Sequence, residues 1–146
     1  MSLEQIHEAI PHRAPFLLVD EIVEWEENRI VCKKKLTGEE FWFDGHYPGQ
    51  PIMPGVLQCE AAMQAGAILL SKHMEAGTDG KVPVATRMNN VRFKRIVRPG
   101  EEITLEVDLT ERLADAFFLN GKVTCEGKVT VRFEFACTLA SIPKDG

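Results

Sequence analysis

A histidine in a proline-rich loop is the first candidate for chemistry in this sequence. His46 lies in the segment 45–54, which contains three prolines. Proline restricts the backbone, so this loop can hold a side chain in one place. An unperturbed imidazole, with a pKa of about 6.5, is mostly neutral at pH 7 and can accept a proton. We therefore expect His46 to be a general base. The other histidines have no comparable setting: His7, His12 and His73.

One carboxylate follows fourteen residues later, in a segment with almost no polar side chains. Glu60 shares a narrow helical stripe with Gln64, four residues further on. The plainer interpretation is a surface glutamate paired with Gln58 or Gln64. However, the flanking residues leave no wide polar face for such a glutamate. A buried carboxyl group without a cationic partner tends to stay protonated and can then donate a proton to a leaving hydroxyl. We expect Glu60 to be a general acid.

The start of the helix that carries Glu60 offers a third element. The N–H groups of Gly55 and Val56 precede the first helical hydrogen bonds and carry partial positive charge. They could bind a carbonyl oxygen that gains negative charge, and glycine lets a substrate approach the backbone. A base, an acid and an oxyanion site together suit removal of a proton beside a carbonyl with loss of a β-substituent. The residues alone therefore predict elimination or isomerisation of an acyl compound.

A long apolar helix must position these groups. Pro54 suits the first turn of a helix, and no further proline occurs up to about Glu75. The segment is apolar nearly all round, so it must be buried nearly all round. A helix of about twenty residues is roughly 30 Å long. We therefore expect the sheet that covers it to curl around it.

The rest of the chain is predicted to form one short helix and six strands. The helix covers 2–9, and the strands cover 16–25, 29–36, 82–93, 103–109, 116–125 and 129–139. Asn120-Gly121 is a strong hairpin signal, but a turn there would leave very short strands. We therefore place the turn at Glu126-Gly127 and treat Gly121 as a strand glycine or a bulge. The outline is an α+β hot-dog fold, an antiparallel sheet wrapped around a long central helix, in a single domain over residues 1–146.

Composition and charge narrow the class of protein. With 146 residues, 45% of them hydrophobic and 27% charged, the chain has the composition of a soluble globular domain. It has no apolar run of about 18 residues and no signal peptide. Four scattered cysteines without a C-x-x-C pair indicate reduced core thiols, so we expect a cytoplasmic protein. The net charge of −5 argues against general nucleic-acid binding.

A basic cluster interrupts this acidic chain. It consists of Arg87, Arg92, Lys94, Arg95 and Arg98. Such a cluster could receive an acidic partner or could simply form a solvated strand face. The sequence alone leaves both interpretations open.

Several motifs match those of one known family, in order and over nearly the whole chain. They are Pro11–Asp20 (PHRAPFLLVD), Gly45–Pro48 (GHYP), Pro51–Gln58 (PIMPGVLQ), Glu60-Ala61, Arg92–Arg95 (RFKR) and Pro99-Gly100. This set resembles the (3R)-hydroxyacyl-acyl-carrier-protein dehydratases of the FabZ type. The blocks around His46 and Glu60 are the most specific. A related dehydratase-isomerase carries aspartate at the position of Glu60, which favours the FabZ type.

The resemblance implies a hydro-lyase of fatty acid biosynthesis with active sites at a dimer interface. His46 of one subunit would remove the C2 proton, and Glu60 of the other would protonate the departing 3-hydroxyl. The Gly55 N–H would bind the thioester carbonyl of the substrate. The product would be a trans-2-enoyl thioester plus water, without a metal or redox cofactor. Tyr47, Pro54 and Gln64 would line the substrate tunnel. Members are often trimers of dimers.

The resemblance also implies an acyl-carrier protein as partner, with the substrate on its phosphopantetheine arm. We expect its docking surface to include part of the basic cluster, although alternate strand positions cannot all face one way. The candidates are Arg92, Lys94, Arg95 and Arg98. Coenzyme A stays open as a second carrier, and dimer and hexamer are both open.

Several positions depart from the family pattern, among them the segment Met88-Asn89-Asn90. Tyr47 replaces a common phenylalanine, Ile96 a proline, and Glu101 an aspartate. These departures leave the preferred chain length and the pathway open. Two alternatives share the fold: a hot-dog acyl thioesterase, and a non-catalytic acyl-binding or regulatory protein.

Overall fold

One antiparallel sheet of six strands packs around one long helix in the computed structural model, which describes residues 3–74 and 81–141. The elements are α1 (Leu3–Ala9), β1 (Glu21–Trp25), β2 (Arg29–Lys35), a 3-10 turn (Phe41–Phe43), α2 (Gly55–Ser71), β3 (Lys81–Phe93), β4 (Glu102–Leu113), β5 (Ala116–Cys125) and β6 (Lys128–Ser141). The strand order is β1-β2-β4-β5-β6-β3, and all neighbours are antiparallel. Helix α2 packs against β2, β3, β4, β5 and β6. The predicted hot-dog fold is confirmed.

Helix α2 is buried along most of its length because its side chains are small and apolar. Its buried hydrophobic residues are Cys59, Ala61, Ala62, Ala65, Ala67, Ile68, Leu69 and Leu70. At Gly66 a Cβ atom would lie only 2.8 Å from the Phe135 ring, so glycine allows strand β6 to approach the helix closely. The helix ends at Ser71, before the predicted end at Glu75, which lies outside the described residues.

The central strands alternate between buried and accessible side chains, and β3 does not. Strand β4 buries Ile103, Leu105 and Val107 against the core. Strand β3 forms an edge of the sheet, and most of its side chains are exposed. The large apolar ones among them are Val84, Met88 and Phe93.

Two details of the predicted strands have different outcomes. Strand β1 begins at Glu21, so the predicted start at Phe16 is wrong: the N–H groups of Phe16 and Leu17 both donate to the Arg13 carbonyl in a turn. The predicted turn at Glu126-Gly127 is confirmed, and both residues have positive φ. Gly121 is a strand glycine, as predicted. A Cβ atom there would lie 2.9 Å from the Phe133 ring.

Candidate active site

His46 is held with one ring nitrogen free. It follows the 3-10 turn, and its backbone N–H donates to the Trp42 carbonyl at 3.2 Å. Ring atom Nδ1 lies 3.0 Å from the carbonyl oxygen of Ile52. A carbonyl can only accept, so Nδ1 carries the hydrogen, and Nε2 of the neutral ring keeps its lone pair. This arrangement suits a base that acts through Nε2.

The loop around His46 has a constrained backbone. Tyr47 adopts a φ of +56°, which is uncommon for a residue with a side chain, and Gly49 a φ of +95°. The Gln50 N–H donates to the Tyr47 carbonyl at 3.0 Å and closes a turn. The Tyr47 ring meets the His46 ring edge-on, with centroids 4.8 Å apart. The far end of the loop is anchored by buried Met53, whose N–H donates to the Val97 carbonyl.

The start of α2 leaves two backbone donors without partners. Within the described chain the N–H groups of Gly55 and Val56 donate to no acceptor, whereas those of Leu57 and Gln58 both donate to the Pro54 carbonyl. The Val56 side chain is 68% exposed, although it is apolar. These are the two N–H groups that the sequence predicts to form the oxyanion site.

Gly55 has a packing role that the sequence did not reveal. A Cβ atom at this position would overlap the Phe93 ring, so only glycine fits beneath that ring. We expected glycine to let a substrate approach the backbone. On the side where a Cβ would point, the neighbour of Gly55 is Phe93.

Glu60 is fixed by Gln64 on the next helical turn. The buried Gln64 amide accepts from the Leu18 N–H at 2.7 Å, which identifies its oxygen. Its nitrogen then donates to the Phe16 carbonyl at 2.9 Å and to Glu60 Oε2 at 3.0 Å. The Glu60 side chain is still 25% exposed, so it is less buried than the apolar sequence around it suggested. Gln64 therefore orients the carboxylate and ties the segment before β1 to the helix.

His12 is the residue near Glu60 that sequence reasoning missed. Its Nε2 lies 4.0 Å from Glu60 Oε2. Both side chains line a cavity of about 290 Å³ between α2, β3 and β6. The available signal was the Pro11-His12-Arg13 motif, which we used only for the family resemblance. Its position just before a segment that docks on α2 could have indicated His12.

His46 and Glu60 do not meet within one chain. Among the described residues no hydrogen bond or ion pair joins them. The cavity at Glu60 is lined by no residue of the loop 45–54. Each chain therefore presents the predicted base and the predicted acid in two different surroundings.

Comparisons with known proteins identify the same family that the sequence motifs resemble. A family model described as a FabA-like domain matches residues 10–134. The chain is also 41% identical over 145 residues to the 3-hydroxyacyl-acyl-carrier-protein dehydratase FabZ of Caulobacter sp. (strain K31), which covers 99% of this chain and 89% of the relative. The chain belongs to the FabA-like family. The FabZ of Clostridium perfringens (strain SM101), also 41% identical, covers 88% of this FabA-like chain and 96% of that protein.

Solved structures support the fold of this FabA-like chain. The dehydratase heterocomplex ApeI:P from Xenorhabdus doucetiae matches with a TM-score of 0.77 at 15% identity, covering 96% of this chain and 92% of that chain. A thioesterase from Haemophilus influenzae matches with a TM-score of 0.64 at 17% identity, covering 83% and 78%. At such identities the likeness concerns the fold alone, so it does not separate the two reactions.

The four predicted docking residues of the FabA-like chain fall into two places. Arg92 shares a depression with Lys122 and Arg132, its neighbours across the sheet. A second depression is lined by two carboxylates, of Glu101 and Glu126, and by four cations, which we call the cationic strip: Lys94, Arg95, Arg98 and Lys128.

The buried residue Thr130 connects the cationic strip to the start of α2. Its carbonyl accepts from the N–H groups of Lys94, at 2.7 Å, and Arg95, at 3.3 Å. Its hydroxyl donates to the side-chain oxygen of Gln58 at 2.7 Å. The strip is therefore hydrogen-bonded, through one residue, to the first turn of α2.

The cysteines of the FabA-like chain are all free and buried. Burial raises the pKa of the Cys59 and Cys137 thiols to about 11, so both are neutral thiols at physiological pH. Within residues 3–74 and 81–141, no group of three or more metal-binding side chains comes together. In the same part of the chain, no helix has the length and hydropathy needed to cross a membrane.

Proposed function

We propose that this chain dehydrates (3R)-hydroxyacyl thioesters on acyl-carrier protein to trans-2-enoyl thioesters in fatty acid biosynthesis. The observation that carries the proposal is the identity of 41% over 99% of the chain to a FabZ dehydratase, together with a histidine whose Nε2 is free to accept a proton. The reaction needs a base at C2 and an acid at the 3-hydroxyl. His46 and Glu60 supply them, and no metal or redox cofactor takes part.

In this mechanism each group acts on one atom of the substrate. His46 removes the C2 proton through Nε2 while Glu60 protonates the 3-hydroxyl, which leaves as water. The negative charge that develops on the thioester carbonyl is stabilised by the N–H groups of Gly55 and Val56. Tyr47, Pro54 and Gln64 line the path of the acyl chain.

The active site is proposed to form between two copies of the chain. His46 and Glu60 share neither a hydrogen bond nor a cavity within the described chain. Several apolar side chains near the start of α2 are exposed: Tyr47, Val56, Phe93 and Ile96. Large exposed apolar side chains in one region are typical of an interaction surface. In the proposed homodimer, His46 of one subunit faces Glu60 of its partner. Three such dimers form the proposed hexamer.

Subunit mixing tests this arrangement. His46→Ala and Glu60→Gln are each expected to be nearly inactive. After complete exchange, random pairing gives heterodimers with one intact site, so about a quarter of the sites recover. As a control, the double variant mixed with either single variant recovers nothing. If heterodimers form but stay inactive, both groups must act within one chain.

The carrier is proposed to dock on the cationic strip, because acyl-carrier proteins are acidic and the strip is linked to the helix start. Arg95→Glu should raise KM for the acyl-carrier substrate at low salt and leave kcat unchanged, since a rim charge acts on association. The same variant should keep its KM for a short N-acetylcysteamine thioester. Arg92→Glu is the matched test of the other depression. Comparing coenzyme A with acyl-carrier protein decides between the carriers.

One assay separates dehydration from the two alternatives. A 3-hydroxyacyl thioester that is dehydrated yields the ultraviolet absorbance of a conjugated enoyl thioester. A thioesterase would release a free thiol instead. Binding of the thioester without either product would indicate a non-catalytic acyl-binding protein.

A further inference from the structure

His12 lies where it can exchange a proton with Glu60. The distance of 4.0 Å between Nε2 and Oε2 exceeds a hydrogen bond by about 1 Å. A small rotation or one bridging water closes such a gap, and catalytic hydrogen bonds are often long before substrate binds. Both side chains are partly exposed, 28% for His12 and 25% for Glu60. The His12 Nδ1 atom is buried and has no hydrogen-bond partner in the described chain, so proton exchange with solvent and with the carboxylate is assigned to Nε2.

The His12 ring and Glu60 belong to one fixed arrangement. The ring stacks on Phe16, with centroids 6.2 Å apart and planes 16° from parallel. The Phe16 carbonyl accepts from the Gln64 amide that also donates to Glu60. The Arg13 guanidinium holds the segment from the other side by donating to the carbonyls of His7, Ile10 and His12. The approach of His12 to Glu60 is thus supported by two sets of hydrogen bonds.

Few other ionisable groups face this pair. Among the described residues lining the cavity, the ionisable ones are Glu60, His12 and Cys137. Strand β3 contributes residues 82–85, which carry no ionisable side chain. Cys137, from β6, stays a neutral thiol because burial raises its pKa to about 11. In the proposed dimer, His46 of the partner subunit also faces Glu60, but it receives a proton there.

We propose that His12 returns a proton to Glu60 after each turnover. The inference rests on the proposed function, in which Glu60 gives its proton to the hydroxyl that leaves as water, and His46 takes the C2 proton. His12 then takes a proton from solvent and passes one through Nε2 to Glu60 Oε2. His46 releases its proton to solvent, so the protons balance. His12 touches no reacting atom and acts only through Glu60.

The need for such a group grows with pH. A carboxylate on its own regains its proton mainly from hydronium, at up to roughly 10¹⁰ M⁻¹s⁻¹. That limit supplies about 10⁴ protons per second at pH 6 but only about 3 per second at pH 9.5, below a typical kcat of about 10 s⁻¹. An imidazole exchanges protons with water readily over this range. Loss of His12 should therefore be harmless at low pH and limiting at high pH.

A rapid-mixing experiment tests the proposal with His12→Gln. At about pH 9.5 the variant should form one enoyl thioester per site at nearly the wild-type rate, followed by a steady phase about fourfold slower. At about pH 6 the steady phase should lie within about twofold of wild type. Imidazole buffer should accelerate the slow phase. His7→Gln is the matched control, because it removes a histidine five residues away without touching Glu60.

Two results would overturn the proposal. One is equal loss in the first turnover and the steady phase at both pH values, which indicates a structural role. The other is no loss at either pH. His12→Asn repeats the test if His12→Gln does not fold, as judged by its thermal unfolding. Glu60→Gln checks the underlying function separately: if it keeps a normal first turnover, Glu60 is not the acid, whatever His12 does.

Discussion

Strand β1 closes one edge of the sheet with five residues, whereas β3 forms the other edge with thirteen. Between Ile22 and Glu24 the register of β1 shifts, and the strand exposes the acidic side chains of Glu21 and Glu24. Short length and charge disfavour further strand pairing at β1. Register shifts do not separate the two edges, because β3 also has them, between Ala85 and Arg87 and between Asn89 and Arg92. Strand β3 instead exposes Val84 and Met88 along a long edge.

The difference shows which edge can accept a second chain. A long edge with exposed apolar side chains would favour aggregation if it were left open, unless a specific partner covers it. The β3 edge also borders the helix start, since the Phe93 ring covers Gly55. We infer that the proposed dimer forms along β3, and that β1 faces solvent in it.

The strongest test places a charge on each edge. Met88→Lys puts two like charges into the two-fold interface, and we expect the dimer dissociation constant to rise about 100-fold or more, with activity lost at low protein concentration. Val23→Lys on β1, at a similarly exposed apolar position, should change neither property. Analytical ultracentrifugation and turnover at several concentrations measure both. A dimer that tolerates Met88→Lys but not Val23→Lys would reverse the assignment of the edges.

A smaller effect tests whether the β3 edge supports the helix start. Gly55→Ala should push the Phe93 ring aside, costing about 1–3 kcal/mol of unfolding free energy and reducing kcat about tenfold. Adding Phe93→Leu should recover part of the stability, because the smaller side chain makes room. Thermal unfolding and steady-state kinetics report the two quantities. Unchanged stability in Gly55→Ala would mean that the Phe93 ring is not held over the helix.

A third prediction compares the two sides of the sheet through their thiols. Burial raises the pKa of Cys32, on β2, to about 12, and of Cys137, on β6, to about 11. Below about pH 9 these thiols are neutral in both the folded and the unfolded chain, so stability is fully present there. As pH rises from about 9 toward 11, the thiols ionise in the unfolded chain but stay neutral in the folded one, so the free energy of unfolding falls. Between about pH 9 and 10 each thiol should account for a loss of about 1 kcal/mol.

Urea unfolding at several pH values measures this loss. Cys32→Ala and Cys137→Ala should each show a shallower decline above about pH 9 than the wild-type chain. A parallel decline in all three proteins would assign the alkaline sensitivity to other groups.

The smallest expected effect concerns an ion-pair network near the β1 edge. Arg29 contacts Glu106 at 2.6 Å and Asp108 at 3.0 Å, and Glu106 also contacts Lys122 at 3.4 Å. These groups are partly exposed, so Arg29→Met should cost no more than about 1 kcal/mol and should leave the dimer and activity intact. Lys33→Met, which removes one exposed pair with Glu102, should cost less. Loss of activity in Arg29→Met would show that this edge also takes part in the site.

The sequence predicted the long helix well because an all-apolar segment can only be buried, and it predicted the turn at Glu126-Gly127 because strand lengths excluded the alternative. The sequence-based prediction failed where a side chain distant in sequence determines the backbone conformation. Leu18 looks like a strand residue, yet its N–H bonds the Gln64 amide 46 positions away. His12 was passed over for the same reason, since its nearness to Glu60 arises from packing and not from spacing.

The positions of His46 and Glu60 relative to each other also depend on packing and not on sequence spacing. Spacing and residue type identified His46 and Glu60 as chemically suited, but nothing in a linear pattern says whether they meet within a chain. The separation of the basic cluster was also hidden, because β3 ends at Phe93 and Arg92 lies on the strand while Lys94 and Arg95 follow it. Strand alternation predicted that the basic cluster would not all face one way, but it did not predict where the cluster would divide.

The hydrogen bonds of Thr130 bear on which part of the protein selects the acyl chain length of the substrate. If the carrier docks on the cationic strip, the distance from its attachment point to the oxyanion donors is set by one residue that bonds both Lys94 and Gln58. A phosphopantetheine arm has a constant length, so both of its ends would meet fixed points. Selection among acyl chains would then fall to whatever lies past the helix start, where Met63 and Ala67 line the cavity.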